Sequence, residues 1–135
     1  MRAPIFVDTG YVLAIENTKD TYHELPRIAY EILSPPFLTT EAVLVEIGNS
    51  LCRQQWRSIG VEALSQMRRS TELEIVPIDS LLLDRAIALY SAYMDKEWGL
   101  IDCISFVVMR ERGITQVLTT DRHFEQAGFL NLLTH

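Results

Sequence analysis

Short apolar runs that end on an acidic or hydroxyl residue recur along this chain, with helix-type sequence after each of them. IFV runs into Asp8, FL into Thr39 and Thr40, LEIVPI into Asp79, and QVL into Thr119, Thr120 and Asp121. The runs are too short for helices, and several lack the apolar–polar alternation of a strand with one wet face. Such strands belong to a parallel sheet with helices on both faces, built from β-α-β crossovers. Sheets of this kind place their chemistry outside the carboxyl ends of the strands. Asp8 and Asp121 then fall on one edge.

The pattern predicts strands at 5–7, 37–40, 73–78, 115–120 and 129–133. It predicts helices at 10–16, at 20–33 with Pro26 as a kink or late start, and from 41 to about 56 behind a Thr40 cap. Gly60 is placed near a break, with a further helix to about Arg69. Asp79 or Ser80 caps a helix over 81–94, and Gly99 precedes a very apolar helix at 100–112 that Gly113 stops. A short helix is expected at 123–127. Met94, Phe106 and Met109 are assigned to the core, as are Trp56 and Trp98 or else to an interface.

With 135 residues the chain is read as a single domain, 1–135. Its 48% apolar and 22% charged residues support a buried core and exclude disorder. No apolar run is long enough to span a membrane, and the first residues lack the pattern of a signal peptide. Cys52 and Cys103 read as buried free thiols of a cytoplasmic protein. The net charge of −6 argues against simple electrostatic nucleic-acid binding. Ten of the twelve basic residues are Arg, however, whose planar fork suits phosphate.

Four carboxylates fall where they can converge: Asp8, Glu46, Asp102 and Asp121. Each also has an ordinary structural explanation, as a helix cap, a dipole-compensating first-turn acid or a solvated face. Glu46 in AVLVEIG and Asp102 in LIDCISF, however, are flanked by apolar residues, and burying an unpaired carboxylate is costly. A shared divalent cation offsets that cost. Oxygen ligation selects Mg2+ or Mn2+ over Zn2+. The three histidines, His23, His123 and His135, show no ligand spacing.

FVDTG, TTEAVLVEIGNSL, WGLIDCISFVVMRERGI and VLTTDRHFEQAGF together resemble the PIN domain, over essentially the whole chain. The resemblance implies a three-layer α/β/α sandwich with a central parallel sheet, and an acidic quartet of Asp8, Glu46, Asp102 and Asp121 that binds Mg2+ or Mn2+. The implied activity is metal-dependent ribonuclease cleavage of RNA phosphodiester bonds. Thr9 and Thr119 match the family's hydroxyl positions and are expected to orient carboxylates or waters. The subgroup most resembled is the small single-domain toxins of the VapC type, with a departure at DCISF, where alanines usually follow the Asp. That subgroup implies an antitoxin partner and a homodimer, for which Leu25, Ile28 and Tyr30 are candidate surface residues.

Arg53 and Arg57 are spaced four apart and form a stripe with Glu46 if their helix is continuous, a track for an RNA backbone. Two other readings stand beside the ribonuclease. One is a catalytically inactive PIN-like module that binds RNA or protein. The other is a phosphatase-like α/β hydrolase, which needs a second Asp where Gly10 stands.

Overall fold

The computed structural model describes residues 3–17 and 36–133. The helix expected at 20–33 lies outside the described residues, as do Leu25, Ile28 and Tyr30. Five strands, β1 (Ile5–Val7), β2 (Phe37–Thr40), β3 (Leu73–Val76), β4 (Gln116–Leu118) and β5 (Leu130–Asn131), form one sheet in the order β3-β2-β1-β4-β5. Every pairing is parallel, with Phe6 opposite Leu38 on one side and Val117 on the other. β1 and β2 are buried throughout, as a strand covered on both faces must be. Among the described residues six helices provide that cover: α1 (Thr9–Asn17), α2 (Glu41–Ser50), α3 (Arg57–Arg69), α4 (Ser80–Ala92), α5 (Leu100–Arg112) and α6 (His123–Gln126). None is long and apolar enough to cross a membrane.

Local chemistry accounts for the element ends. Thr40 caps α2 by accepting from the Val43 N–H at 3.3 Å, and Asp79 caps α4 through Leu82 N–H at 2.8 Å. Gly113 ends α5 at φ 67°, the left-handed conformation that favours glycine, while Ile114 N–H bonds back to the Met109 carbonyl at 2.8 Å. α5 is apolar on nearly all sides and is correspondingly buried from Cys103 to Met109. Its Phe106 is the hub of an aromatic cluster, edge-on to Trp98 at 5.1 Å and to Phe124 at 4.9 Å, with Phe129 at 5.6 Å.

Several sequence expectations change. The helix expected to run from 41 to about 56 stops at Ser50, and a new helix starts at Arg57. Between them Trp56 N–H turns back to the Arg53 carbonyl, and Arg57 Nε satisfies the Cys52 carbonyl at 3.1 Å. Gly60 lies inside α3 rather than at a break. A Cβ there would stand 3.2 Å from Leu51 Cβ, so the glycine permits the close approach of α3 to the end of α2. β3 ends before Pro77, which lacks the N–H to extend the ladder. Met94, assigned to the core, is 87% exposed because α4 ends two residues before it. Trp56 and Cys52 are also exposed, both in the turn between α2 and α3, while Cys103 is buried.

The Phe106→Ala variant is expected to lose about 3–5 kcal/mol of stability, because the cluster cannot collapse around the vacated ring. Gly113→Ala should cost about 1 kcal/mol through its left-handed backbone. Urea unfolding of both variants beside the parent measures the two losses.

Candidate functional site

β1 is flanked by β2 and β4, so the chain changes direction across the sheet at its carboxyl end. Ligands of open parallel sheets bind in the crevice at such a point. Asp8 is the residue that follows β1 there, and its carbonyl accepts from Val12 N–H in the first turn of α1. Gly10 follows two residues on, where a Cβ would come within 2.0 Å of Thr120 Oγ1 and force that side chain to move.

Asp8 is only 5% exposed. Its Oδ2 accepts from Thr119 Oγ1 at 2.7 Å, and the Thr9 backbone N–H donates to the same carboxyl. Thr119 in turn accepts from Asp121 N–H at 2.9 Å. That bond occupies a lone pair of the hydroxyl and leaves its proton aimed at Asp8. Burial nonetheless pushes the Asp8 pKa up to about 7, with the negative charges of Asp102 and Glu46 adding to the shift and the two hydrogen bonds opposing it. Four groups far apart in sequence are therefore electrostatic neighbours. Asp8 senses Asp102 and Glu46, and Asp102 senses Asp121.

Asp102 sits in the first turn of α5, where its Oδ2 accepts from Gly99 N–H at 3.1 Å. Its pKa is also raised, by burial first and then by Asp121. Asp121 Oδ1 accepts from His123 N–H at 2.9 Å, which ties its carboxylate to the first residue of the short helix α6. Glu46 reaches toward the same crevice from α2 and is half-buried. All four predicted carboxylates are thus brought to one edge.

His123 was not anticipated in this group. Its Nδ1 lies 3.2 Å from Asp102 Oδ2 and 3.3 Å from Asp121 Oδ1. Asp102, Asp121 and His123 each offer a donor atom, all within 4.8 Å of one another. The available signal was positional: His123 follows Asp121 by two residues at the same strand end. Asn131 was also missed. It is buried in β5, and its Nδ2 donates to the Thr119 carbonyl at 2.9 Å, which fixes the residue that holds Asp8.

The donor chemistry fits a divalent cation. A buried carboxyl with carboxylate neighbours needs a positive partner in order to ionise. The Thr9 hydroxyl beside it is buried without a partner among the described residues. Arg53 and Arg57 do not join the predicted stripe, because the helix that would align them with Glu46 ends at Ser50. Both are exposed.

The family model of the PIN domain matches residues 5–130. This chain belongs to that family. It is 29% identical over 128 residues to a protein of Mycobacterium tuberculosis named 23S rRNA-specific endonuclease VapC20, covering 95% of this chain and 97% of that one. The PIN fold here superposes on the crystal structure of M. tuberculosis VapC20, described as a sarcin-ricin loop cleaving toxin. The TM-score is 0.86 at 28% identity, over 95% of this chain and 98% of that one. FitAcB from Neisseria gonorrhoeae shares the fold at a TM-score of 0.71 and 15% identity, over 97% of this chain and 99% of that one.

A pH dependence follows for the metal-free protein. The folded-state pKa of Asp8, about 7, exceeds its unfolded value near 3.8. Between these pH values the folded chain keeps a proton that the unfolded chain has lost. Stability is therefore fully supported below about pH 4 and falls as pH rises toward 7, by up to about 4 kcal/mol. Urea unfolding in chelator across that window should show the decline in the parent protein. In Asp8→Asn the corresponding curve should be much flatter.

Proposed function

We propose that this PIN domain is a divalent-metal-dependent endoribonuclease that hydrolyses RNA phosphodiester bonds as the toxin half of a toxin–antitoxin pair in the cytoplasm. The observation that carries the reading is the buried Asp8 carboxyl, held by Thr119 and facing Glu46 and Asp102 at the sheet's switch point. A structural module has no use for so costly an arrangement, which disfavours the inactive alternative. The relatedness to VapC20, over nearly the full length of both chains, supports both the activity and the class of substrate.

In this reading Asp8, Asp102 and Asp121 hold Mg2+ or Mn2+, and Glu46 binds it directly or through water. The ion, when bound, lowers the pKa of an attacking water and neutralises charge that develops on the phosphate. The chain's own residues do the positioning. Thr119 fixes the Asp8 carboxylate, Gly99 N–H fixes that of Asp102, and His123 N–H fixes that of Asp121. Thr9 places its backbone N–H on Asp8. Arg53 and Arg57, exposed on the turn and at the start of α3, contact the RNA backbone without forming a continuous helical track. Because the net charge is −6, affinity for RNA comes from such local contacts and a bound cation rather than from the global field.

Two protein partners belong to the proposal. An antitoxin inhibits by placing a cationic side chain among the carboxylates, where it takes over the role of the metal's charge. A second copy of this chain covers α4. That helix buries Leu82 and Ala86 in the core yet exposes Leu83, Ile87 and Tyr90 on another face, with Met94 just beyond it. A helix apolar on two faces is explained when both are covered.

Asp8→Asn and Asp121→Asn should each lower Mn2+-dependent cleavage of a sarcin-ricin loop RNA by at least about a hundredfold while the fold is retained. Unchanged cleavage in both would overturn the assigned site. Light scattering should give twice the 15.5 kDa chain mass for the parent protein and the single mass for Tyr90→Glu.

A further inference from the structure

We propose that His123 supplies an imidazole nitrogen to the cation site, and that this nitrogen makes the site favour Mn2+ over Mg2+. The inference rests on the reading that the acidic group holds a divalent cation, and it adds a ligand of a different element.

The spacing carries it first. His123 Nδ1 stands 3.2 Å and 3.3 Å from one oxygen each of Asp102 and Asp121. In an octahedral shell with bonds of about 2.1 Å, adjacent donors lie about 3 Å apart and opposite ones about 4 Å. The two nitrogen–oxygen separations match those of adjacent donors to one ion, and each of the three residues offers a donor atom within 4.8 Å of the others.

Placement by the fold carries it next. The ring is not a surface side chain that happens to reach two acids. The His123 backbone N–H is pinned to Asp121 Oδ1 at 2.9 Å, and the adjacent Phe124 is buried against Phe6 and Phe106. α6 is thus anchored on both sides of the histidine, and the ring is presented toward the crevice by that anchor. A lone imidazolium would supply one positive charge to four carboxylates. With its proton on Nε2 instead, the neutral ring offers the Nδ1 lone pair to an ion.

Selectivity follows from donor hardness. Mg2+ takes oxygen ligands and gives up water reluctantly. First-row transition ions accept imidazole nitrogen as well as carboxylate oxygen. Replacing one oxygen position by nitrogen therefore favours Mn2+ relative to Mg2+.

The test uses Mn2+ alone as the probe, followed by electron paramagnetic resonance on the full chain, with Mg2+ added as a competitor. The variants are His123→Gln, which substitutes an amide oxygen and keeps the backbone N–H, and Asp8→Asn. Bound Mn2+ in the parent protein should show 14N modulation from a coordinated imidazole. In His123→Gln the modulation should vanish and the Mn2+ Kd should rise by about tenfold or more. The Mg2+ competition constant should move by less than about threefold. Circular dichroism melting confirms that the variants fold. Bound Mn2+ without 14N modulation in the parent, or equal losses for both metals, would overturn the proposal while the cation site stands, as shown by weakened Mn2+ binding in Asp8→Asn. Failure of the parent to bind Mn2+ at all would overturn the cation reading and this inference together.

Discussion

The hydrogen bond from Thr119 Oγ1 to Asp8 Oδ2 joins the ends of two neighbouring parallel strands, and the geometry of the acidic edge depends on it. The same hydroxyl receives Asp121 N–H, so a single oxygen sets the relation between the first and last of the four carboxylates. Asn131 holds the Thr119 carbonyl from the next strand outward. The arrangement therefore spans β1, β4 and β5, and a small shift of any of these strands would move the site. A buried hydroxyl with both roles satisfied is rigid, because each of its alternatives leaves a polar group unpaired.

Around this joint the fold gathers more carboxylates than one neighbouring histidine could neutralise. Asp8 lies in the core's boundary with its pKa raised to about 7, and Asp102 is shifted in the same direction. Like charges brought together in a half-buried crevice store electrostatic free energy that a bound divalent cation would release. The aromatic cluster about Phe106 makes this tolerable. It anchors α5, which carries Asp102, and α6, which follows Asp121 and contains His123, by apolar packing that the charges do not disturb. Apolar packing and the acidic group are in this way carried by different faces of the same two helices.

Much of this was legible in the residues themselves. Strands that are apolar on both faces imply a covered parallel sheet, and the rule that its ligands bind at strand ends singled out Asp8 and Asp121. Caps at Thr40, Asp79 and Gly113 follow from side chains or backbone freedom within a few residues of each helix end. The placement of Glu46 and Asp102 was legible only because apolar neighbours made a solvated role costly. Where the reading failed, the cause was tertiary. The helix after β2 stops at Ser50 because Arg57 and Trp56 repay the turn's backbone groups, and α3 can then pack through Gly60 onto Leu51. Met94 escapes the core because α4 ends short of it.

By itself, then, the sequence determined the alternation of strands and helices, the parallel sheet and the identity of the four acids, since these rest on local periodicity, capping chemistry and the cost of burying charge. Only the tertiary structure decided that His123 stands between Asp102 and Asp121, that Asn131 supports Thr119, and that Arg53 and Arg57 do not line up with Glu46. His123 and Asp102 stand 21 residues apart in the chain, and the Asp8–Thr119 joint that these contacts surround links residues 111 apart. Such distances are set by how strands order themselves in the sheet and how helices pack upon it. No window of local sequence encodes them.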